Sequence, residues 1–346
     1  MLKRTTIALT MLLSAPLVQA APTVTGAGAT FPYPVYTRWA DDYQDAKNVA
    51  INYQGIGSGG GIAQIKARTV TFGASDVPMS AEDQQKAGLV QWPMIMGGVV
   101  PIVNLGAALG GNSLKLDGET LAAIYSGDIT RWNDARIKAL NPDINLPDLA
   151  ITPVHRAEGS GTNYLFTHYL SEVSPAFKQK VGEGNTVPWP NGIGAQANGG
   201  VASRVQGTVG AIGYVEYAYA RQNKVATVVL KNRDGGYVTP GADSFSAAAR
   251  HADWKNAPGL ALVLTNQPGK DSWPITGVSY ILMPVKPADA AAAKEALAFF
   301  NWAYVSGKDT AAALDYVAMP KNVIDQVEHD VWSKITDGST PLWPAQ

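Results

Sequence analysis

The alternation of strand-like and helix-like segments constrains the fold of this 346-residue chain more than any other feature. Short apolar runs at 49–54 and 69–75 predict strands, and segments with helical periodicity lie between such runs. In one of these segments Val35, Trp39 and Tyr43 recur at i, i+4 and i+8, which places them on one face of a helix. Alternation of this kind favours an α/β fold with largely parallel sheets flanked by helices.

The length and the cysteine content bound the architecture further. The chain has no cysteine, so it must be stabilised by its core and not by disulfides. Its length is sufficient for two domains. Because it contains neither internal repeats nor a low-complexity linker, any domain boundary must be a close crossover. The formal net charge of −1 gives no reason to expect nucleic acid as a partner.

The first twenty residues have the pattern of a cleavable signal peptide. Lys3 and Arg4 precede an apolar stretch from Ile7 to Val18, and small residues lead up to Ala20. A membrane anchor is the alternative, but this apolar stretch is short for a bilayer span. We therefore expect cleavage after Ala20 and release into the periplasm. The missing cysteine also removes the usual site for lipid attachment after a signal.

Three loops rich in small residues each follow a strand-like run and precede a helix-like one. Their sequences are TGAGATFP (25–32), QGIGSGGGI (54–62) and RAEGSGT (156–162). A helix N-terminus carries free N–H groups and a partial positive charge, so it attracts anions. Glycine lets an anion approach the backbone, and serine and threonine add hydroxyl donors. One such loop alone is usually an ordinary capped helix, but three together, one of them led by Arg156, favour an anion-binding protein.

The second loop also fits the G-x-G-x-x-G pattern of dinucleotide-binding proteins, with Asp76 at the distance expected of the ribose-binding acid. The helix that follows is short and has little apolar face. An exported protein also rarely meets soluble NAD. We therefore disfavour a dinucleotide site.

Enzyme motifs are weak in this sequence. Ser58 and Ser160 lack the G-x-S-x-G frame of a nucleophile elbow, and the chain has no P-loop. The histidines are His155, His168, His251 and His329. They show no metal-ligand spacing, and His155 should face away from Arg156 on a strand, as a packing or solvent-facing residue. These features favour a protein that binds an anion without transforming it; an exported phosphatase or phosphoryl-handling enzyme that reuses the anion site is the alternative.

Several motifs, in this order, resemble those of the periplasmic phosphate-binding proteins of bacterial phosphate-specific ABC transporters. They are GAGATFPYPVY, NYQGIGSGGG, FGASDVPMS, RAEGSGT, GAIGYVEYAYA and WPIT. The resemblance runs from about Val24 to the C-terminal region. It implies a type II-like two-domain fold, with two crossover strands and orthophosphate clamped between the domains. It also implies no cofactor, a monomer, and delivery of phosphate to an inner-membrane permease driven by an ATPase.

The domain boundaries follow from this implied fold. The continuous apolar runs 97–105 and 275–283 are typical of strands covered on both faces, and we expect them to be the crossovers. Domain I would then consist of 21–97 and 275–346, and domain II of 98–274.

The resemblance also implies which residues contact the ligand. They are Thr30, Phe31, Ser58, Asp76, Arg156, Ser160, Gly161 and Thr162. Glu158 stands where the family often has aspartate, and its implied role is to hold the arginine and not to touch phosphate. The chemistry agrees, because phosphate needs many donors and an arginine can bind two of its oxygens at once.

Four of these residues have simpler interpretations. Arg156 and Glu158 could form a surface ion pair, Asp76 could cap the turn before Pro78, and Thr30 could cap a helix. The claim on Phe31 concerns only its backbone N–H group, since its side chain is a typical core residue. If Asp76 does face the ligand, it is an acceptor that only a protonated anion can satisfy.

Overall fold

The structure is a computed structural model that describes residues 23–343, so the predicted signal peptide lies outside the described residues. The strands are β1 (Val24–Gly28), β2 (Ile51–Gly55), β3 (Phe72–Ser75), β4 (Leu89–Val103), β5 (Lys115–Leu116), β6 (Thr152–Arg156), β7 (Ile193–Ala195), β8 (Ala211–Glu216), β9 (Ala226–Thr227), β10 (Val229–Lys231), β11 (Tyr237–Val238), β12 (Leu264–Thr265), β13 (Ile275–Pro284), β14 (Val317–Ala318), β15 (Thr336–Asp337) and β16 (Thr340–Pro341).

Helices alternate with these strands along the chain. They are α1 (Tyr33–Lys47), α2 (Ser58–Lys66), α3 (Ala81–Ala87), α4 (Gly118–Tyr125), α5 (Ala135–Leu140), α6 (Gly161–Val173), α7 (Pro175–Lys180), α8 (Ala197–Gln206), α9 (Tyr217–Gln222), α10 (Ala242–Ala249), α11 (Ala290–Val305), α12 (Lys308–Ala313) and α13 (Lys321–Asp330). The predicted amphipathic helix is α1, and Val35, Trp39 and Tyr43 are buried on it as expected. No helix in the described range is long and apolar enough to cross a bilayer.

The main sheet has the strand order β2-β1-β3-β13-β4-β8-β6-β7. At one end β1 is parallel to β2 and β3, and at the other β6 is parallel to β7 and β8. Two parallel groups thus lie on either side of an antiparallel pair, β4 and β13. The predicted α/β fold is confirmed, with parallel strands in the two end groups and antiparallel pairs around β4 and β13.

Strand β4 joins the two parallel groups. Its first part, Leu89 to Gly98, pairs with β13, and its second part, Val99 to Val103, pairs with β8. The strand begins at Leu89 and not at residue 97, because residues 89–98 pair with β13, and the polar residue Gln91 within this part is buried and bonded. The Oε1 atom of Gln91 accepts from Met79 N at 2.7 Å. The sequence pattern alone does not reveal such a partner.

Glycines allow helices of the second group to pack closely on the crossover strands. A Cβ atom added at Gly98 would lie 2.1 Å from the Phe245 ring of α10. One added at Gly277 of β13 would lie 2.2 Å from a methyl group of Leu165 on α6. Since helix α6 begins at the third predicted loop, its packing on β13 fixes that loop relative to the crossover.

The segment around residues 259–262, which the predicted boundary at residue 274 assigns to domain II, contacts elements of the first parallel group. Gln84 of α3 and Gln91 of β4 both donate side-chain hydrogen bonds to the carbonyl of Gly259. Leu262 donates its N–H to the hydroxyl of Tyr280, which in turn donates to the Leu262 carbonyl. The chain around residues 259–262 is therefore attached to the strands and helix of the first parallel group.

Candidate functional site

The three predicted loops meet between the two parallel groups. Each loop leaves the carboxyl end of a strand, β1, β2 or β6, and leads into α1, α2 or α6. The second and third loops touch directly, because Gly59 N donates to the Gly159 carbonyl at 3.0 Å. The structure thus brings the small-residue loops from distant parts of the sequence to one place. We call the side formed by the first two loops and Asp76 the first wall, and the side formed by 156–162 the second wall.

Ser58 is a junction between the walls. Its hydroxyl oxygen accepts from the backbone N–H of Asp76 and from that of Gly161, each at 3.1 Å. Its own hydroxyl lies 3.5 Å from Asp76 Oδ2. Because Ser58 is completely buried, these contacts connect α2 in the first wall to α6 in the second.

Asp76 is buried without a full set of partners. Only 1% of the residue is exposed, and its Oδ1 atom has no hydrogen-bond partner among the described residues. Burial raises the pKa of Asp76 to about 7, although the Ser279 hydroxyl dipole, the charge of Arg156 and Ser58 oppose this rise. A carboxyl group in this state can take or share a proton near neutral pH.

Asp76 does not cap the turn that follows it. That turn is closed by Ser75, whose hydroxyl oxygen accepts from Val77 N at 3.0 Å and donates to the Val77 carbonyl at 2.8 Å. The capping interpretation of Asp76 therefore has no support in the geometry, and its carboxyl group is left facing Ser58 and Gly161.

Arg156 supplies the full positive charge of the site. Its side chain is only 1% exposed, so its pairing with Glu158 is not a surface ion pair. Its Nε donates to Glu158 Oε1 at 2.9 Å, and its Nη2 donates to Glu158 and to Thr30 Oγ1, the latter at 3.2 Å. Its Nη1 has no partner among the described residues. One edge of the guanidinium group is therefore held, and one nitrogen remains for another group.

Glu158 holds the arginine in its orientation, as the resemblance implies. Its Oε1 atom accepts from Arg156 and also from the backbone N–H of Ala197, at 3.1 Å. The longer side chain in place of aspartate thus still reaches the arginine. It also ties the second wall to the start of α8.

The N-terminus of α6 forms the rest of the second wall. Ser160 caps this helix by accepting from Asn163 N at 3.1 Å. An added Cβ atom at Gly161 would lie 2.5 Å from both Asp76 and Ser58, so only glycine allows the walls to approach this closely. Thr162 follows in the first turn and is buried. The 13-residue helix therefore directs its positive end toward Asp76 and Ser58.

The first loop contributes Thr30 and Phe31. The residue before α1 is Pro32, which makes no side-chain cap, and Thr30 does not cap this helix either. The Thr30 Oγ1 atom accepts from Arg156 across the cleft. The Phe31 ring packs in the core against Tyr316, whose hydroxyl donates to the Phe31 carbonyl at 2.7 Å.

His155 has the packing role that its place on the strand predicts. Its ring stacks on Trp189 with 5.4 Å between centroids, and burial lowers its pKa. Within residues 23–343, no group of three or more histidine, cysteine or acidic side chains is placed to hold a metal ion.

Three further residues, which the sequence pattern did not single out, also reach the site. Asn198 donates to Thr30 Oγ1, Tyr219 donates to the Thr30 carbonyl, and Ser279 lies beside Asp76. Asn198 follows β7 in GAQANGG, a fourth glycine-rich stretch between a strand and a helix, so the criterion used for the first three loops could have found it. Ser279 lies inside β13 and Tyr219 inside α9, where no loop pattern marks them.

Comparison with known proteins gives consistent findings. The model of the PBP superfamily domain matches residues 14–306. The phosphate-binding protein PstS of Xylella fastidiosa (strain Temecula1) is 52% identical over 305 residues, which cover 88% of this chain and 84% of that protein. PstS of Pasteurella multocida (strain Pm70) is 48% identical over 330 residues, covering 94% and 95%.

Two solved structures share the fold at low sequence identity. A high-affinity periplasmic phosphate-binding protein (PfluDING) bound with phosphate has 20% identity and a TM-score of 0.71, covering 93% of this chain and 98% of that one. A putative phosphate ABC transporter substrate-binding protein from Clostridium perfringens, also with bound phosphate, has 20% identity and a TM-score of 0.63. That match covers 86% of this chain and all of the other.

Proposed function

The chain belongs to the phosphate-binding proteins of the PBP superfamily, and from this premise we propose that it captures inorganic phosphate in the periplasm for an ABC-type permease. The ligand would lie between the two walls. The contacts would come from Thr30, Phe31, Ser58, Asp76, Arg156, Ser160, Gly161 and Thr162, with Glu158 behind the arginine.

One observation carries the proposal: a buried donor and a buried acceptor remain without partners where the walls meet. Arg156 Nη1 can only donate, Asp76 Oδ1 is an acceptor when the group is ionised, and neither atom has a hydrogen-bond partner in the described part of the chain. Leaving a buried polar group unpaired costs about 1–3 kcal/mol, and more when the group is charged. A ligand with several acceptor oxygens and one hydrogen would satisfy both groups.

Phosphate near neutral pH is such a ligand. It retains at least one proton, which it can donate to Asp76 while its other oxygens accept from Arg156 and the backbone. Sulfate has no proton to donate, so it would place its oxygen against the Asp76 carboxylate. Asp76, as an ionised acid facing the ligand among many donors, thus selects by repelling the wrong anion.

The geometry favours binding over turnover. The Ser58 hydroxyl oxygen already accepts two backbone N–H groups, and the Ser160 oxygen caps α6. In residues 23–343 neither hydroxyl is hydrogen-bonded to a histidine that could act as its base. A phosphatase that uses either serine as nucleophile would need such a base.

We further propose that the protein works as a hinged monomer after removal of residues 1–20. Domain I would comprise 21–97 and 275–346, domain II 98–274, and β4 and β13 would be the hinge. Because the two walls lie on different domains, opening the hinge would separate them and release the ligand. The names of the structural relatives, one periplasmic and one an ABC transporter component, support the proposed location and partner.

Calorimetry of the mature, phosphate-stripped chain tests this proposal. We expect one phosphate bound per chain, and solution scattering should show a smaller radius of gyration with phosphate than without it. Phosphomonoester hydrolysis should stay at background. Absence of phosphate binding would contradict the proposal, and turnover that disappears in Ser58→Ala would favour the phosphatase alternative.

A further inference from the structure

Asn198 connects both walls although it belongs to neither. It lies in the first turn of α8 and is completely buried. Its Nδ2 atom donates to Thr30 Oγ1 at 2.8 Å and to Thr162 Oγ1 at 3.2 Å. Its Oδ1 atom accepts from the backbone N–H of Glu216 at 3.0 Å. One amide therefore links three separate segments.

The Glu216 contact fixes which end of the amide faces the threonines. A backbone N–H group can only donate, so the oxygen of Asn198 must point toward Glu216. The NH₂ group must then point toward Thr30 and Thr162, and both threonine oxygens are acceptors in these bonds.

Counting lone pairs shows what this does to Thr30. A hydroxyl group has two acceptor sites and one hydrogen. The Thr30 oxygen accepts from Asn198 and from Arg156, which also can only donate. Both acceptor sites are thus occupied, and the Thr30 hydrogen is left to donate elsewhere. Thr162 has one acceptor site filled in the same way.

We propose that Asn198 is a positioning residue that turns the hydroxyls of Thr30 and Thr162 into donors toward the bound anion, an inference that rests on the proposed phosphate site. Without it, each threonine could present a lone pair to a phosphate oxygen as easily as a hydrogen. Asn198 thereby complements Asp76. Asp76 accepts the single hydrogen of the ligand, and the two threonines meet oxygens that carry none.

The hydroxyl groups of the two threonines would be oriented at different stages of domain closure. Asn198 and Thr162 both lie in the proposed domain II, so their bond can exist in the open protein. Thr30 lies in domain I and meets Asn198 and Arg156 only across the cleft. Closing would therefore orient Thr30 at the moment when the ligand is enclosed.

A double-mutant cycle on phosphate affinity tests this role. Asn198→Ala should weaken phosphate binding by about tenfold to a hundredfold, the range for losing the orientation of one or two hydrogen bonds. In a Thr30→Val background, where there is no hydroxyl to orient, the same substitution should cost clearly less, and likewise in Thr162→Val. A purely structural role for Asn198 would give the same loss in all three backgrounds.

Matched controls keep the result interpretable. Asn141 is another buried asparagine, bonded to the backbone of Lys115 and Ile137 away from the site. Asn141→Ala should lower thermal stability and leave phosphate affinity unchanged. The same double-mutant cycle is measured with Asn198→Ser, so that the test does not depend on whether Asn198→Ala folds.

The outcomes separate this inference from the proposed function. Loss of affinity that shrinks in the valine backgrounds supports the positioning role. Unchanged affinity in Asn198→Ala, or equal losses in every background, overturns it while the phosphate site stands. Failure of the wild-type chain to bind phosphate overturns the proposed function itself.

Discussion

The two walls of the cleft divide the charges of the site between them. The first wall has a buried acid, Asp76, with an unpaired oxygen. The second wall has a buried cation, Arg156, that is already paired with its own acid, Glu158. Both acids lie close to the same arginine, yet only Glu158 is hydrogen-bonded to it.

This difference separates two tasks. In the second wall the acid holds the arginine, whose Nη1 atom has no partner among the described residues and lies in the same wall as the N-terminus of α6. In the first wall one oxygen of the acid has no partner among the described residues, so when Asp76 is ionised this wall repels any anion that brings no proton. Under the proposed function, the second wall would attract the ligand and the first wall would exclude anions that carry no proton. Domain closure would bring both walls into contact with the ligand.

Changing the cation should have the largest effect. Arg156→Lys retains the charge but cannot bond Glu158, Thr30 and a ligand together, because an ammonium group lacks the planar fork. We expect phosphate affinity to fall on the order of a hundredfold or more, from the loss of charge-assisted hydrogen bonds. Calorimetry measures this.

The control for the cation is Arg131→Lys, since Arg131 forms a half-exposed pair with Asp148 at the surface. It should bind phosphate like the wild type. Wild-type affinity in Arg156→Lys would show that the second wall does not act through a bidentate arginine.

Forcing the walls apart should have the next largest effect. In Gly161→Ala the new methyl group would lie 2.5 Å from Asp76 and Ser58. Overpacking of this kind costs about 1–3 kcal/mol, which corresponds to a loss of roughly 5- to 150-fold in phosphate affinity. Scattering should show incomplete closure with phosphate present.

Gly200→Ala on α8 is the matched control, because its nearest neighbours would be at an ordinary 3.8 Å. Full closure and normal affinity in Gly161→Ala would mean that the walls need not approach as closely as the structure has them.

Neutralising the supporting acid should have a smaller effect. Glu158→Gln can still accept from Arg156 and Ala197 but no longer fixes the guanidinium group by charge. We expect about a tenfold loss of affinity, in line with one charged hydrogen bond becoming a neutral one. Asp134→Asn, at an exposed pair with Arg136, is the control, and a loss as large as that of Arg156→Lys would give Glu158 a direct ligand role.

The sequence predicted most of the fold for physical reasons. Short apolar runs and a period-3.6 apolar pattern identified strands and helices, and loops rich in small residues identified helix N-termini that meet at the cleft. The resemblance supplied the proposed ligand residues, and the structure brings Ser58, Asp76, Arg156 and Gly161 close together.

The remaining features depend on tertiary contacts. The early start of β4 needs a partner for Gln91 that lies elsewhere in the chain. Ser279 reaches Asp76 from the middle of a buried strand, and Ser75 closes the turn that Asp76 could have closed. A sequence pattern states which residue types are present, but not which of two neighbouring polar residues makes a given bond.

Competition between sulfate and phosphate tests the division between the walls most directly. The measurement is displacement of labelled phosphate by sulfate from the wild type and from Asp76→Asn. At a pH above the Asp76 pKa of about 7, we predict that sulfate fails to compete with the wild type even at concentrations far above those of phosphate that saturate it, because two unprotonated acceptors would then face each other at Asp76. In Asp76→Asn the amide can donate to sulfate, so the preference for phosphate should narrow while phosphate affinity falls only modestly. An unchanged preference in Asp76→Asn would contradict the account, since the first wall would then play no part in selecting the anion.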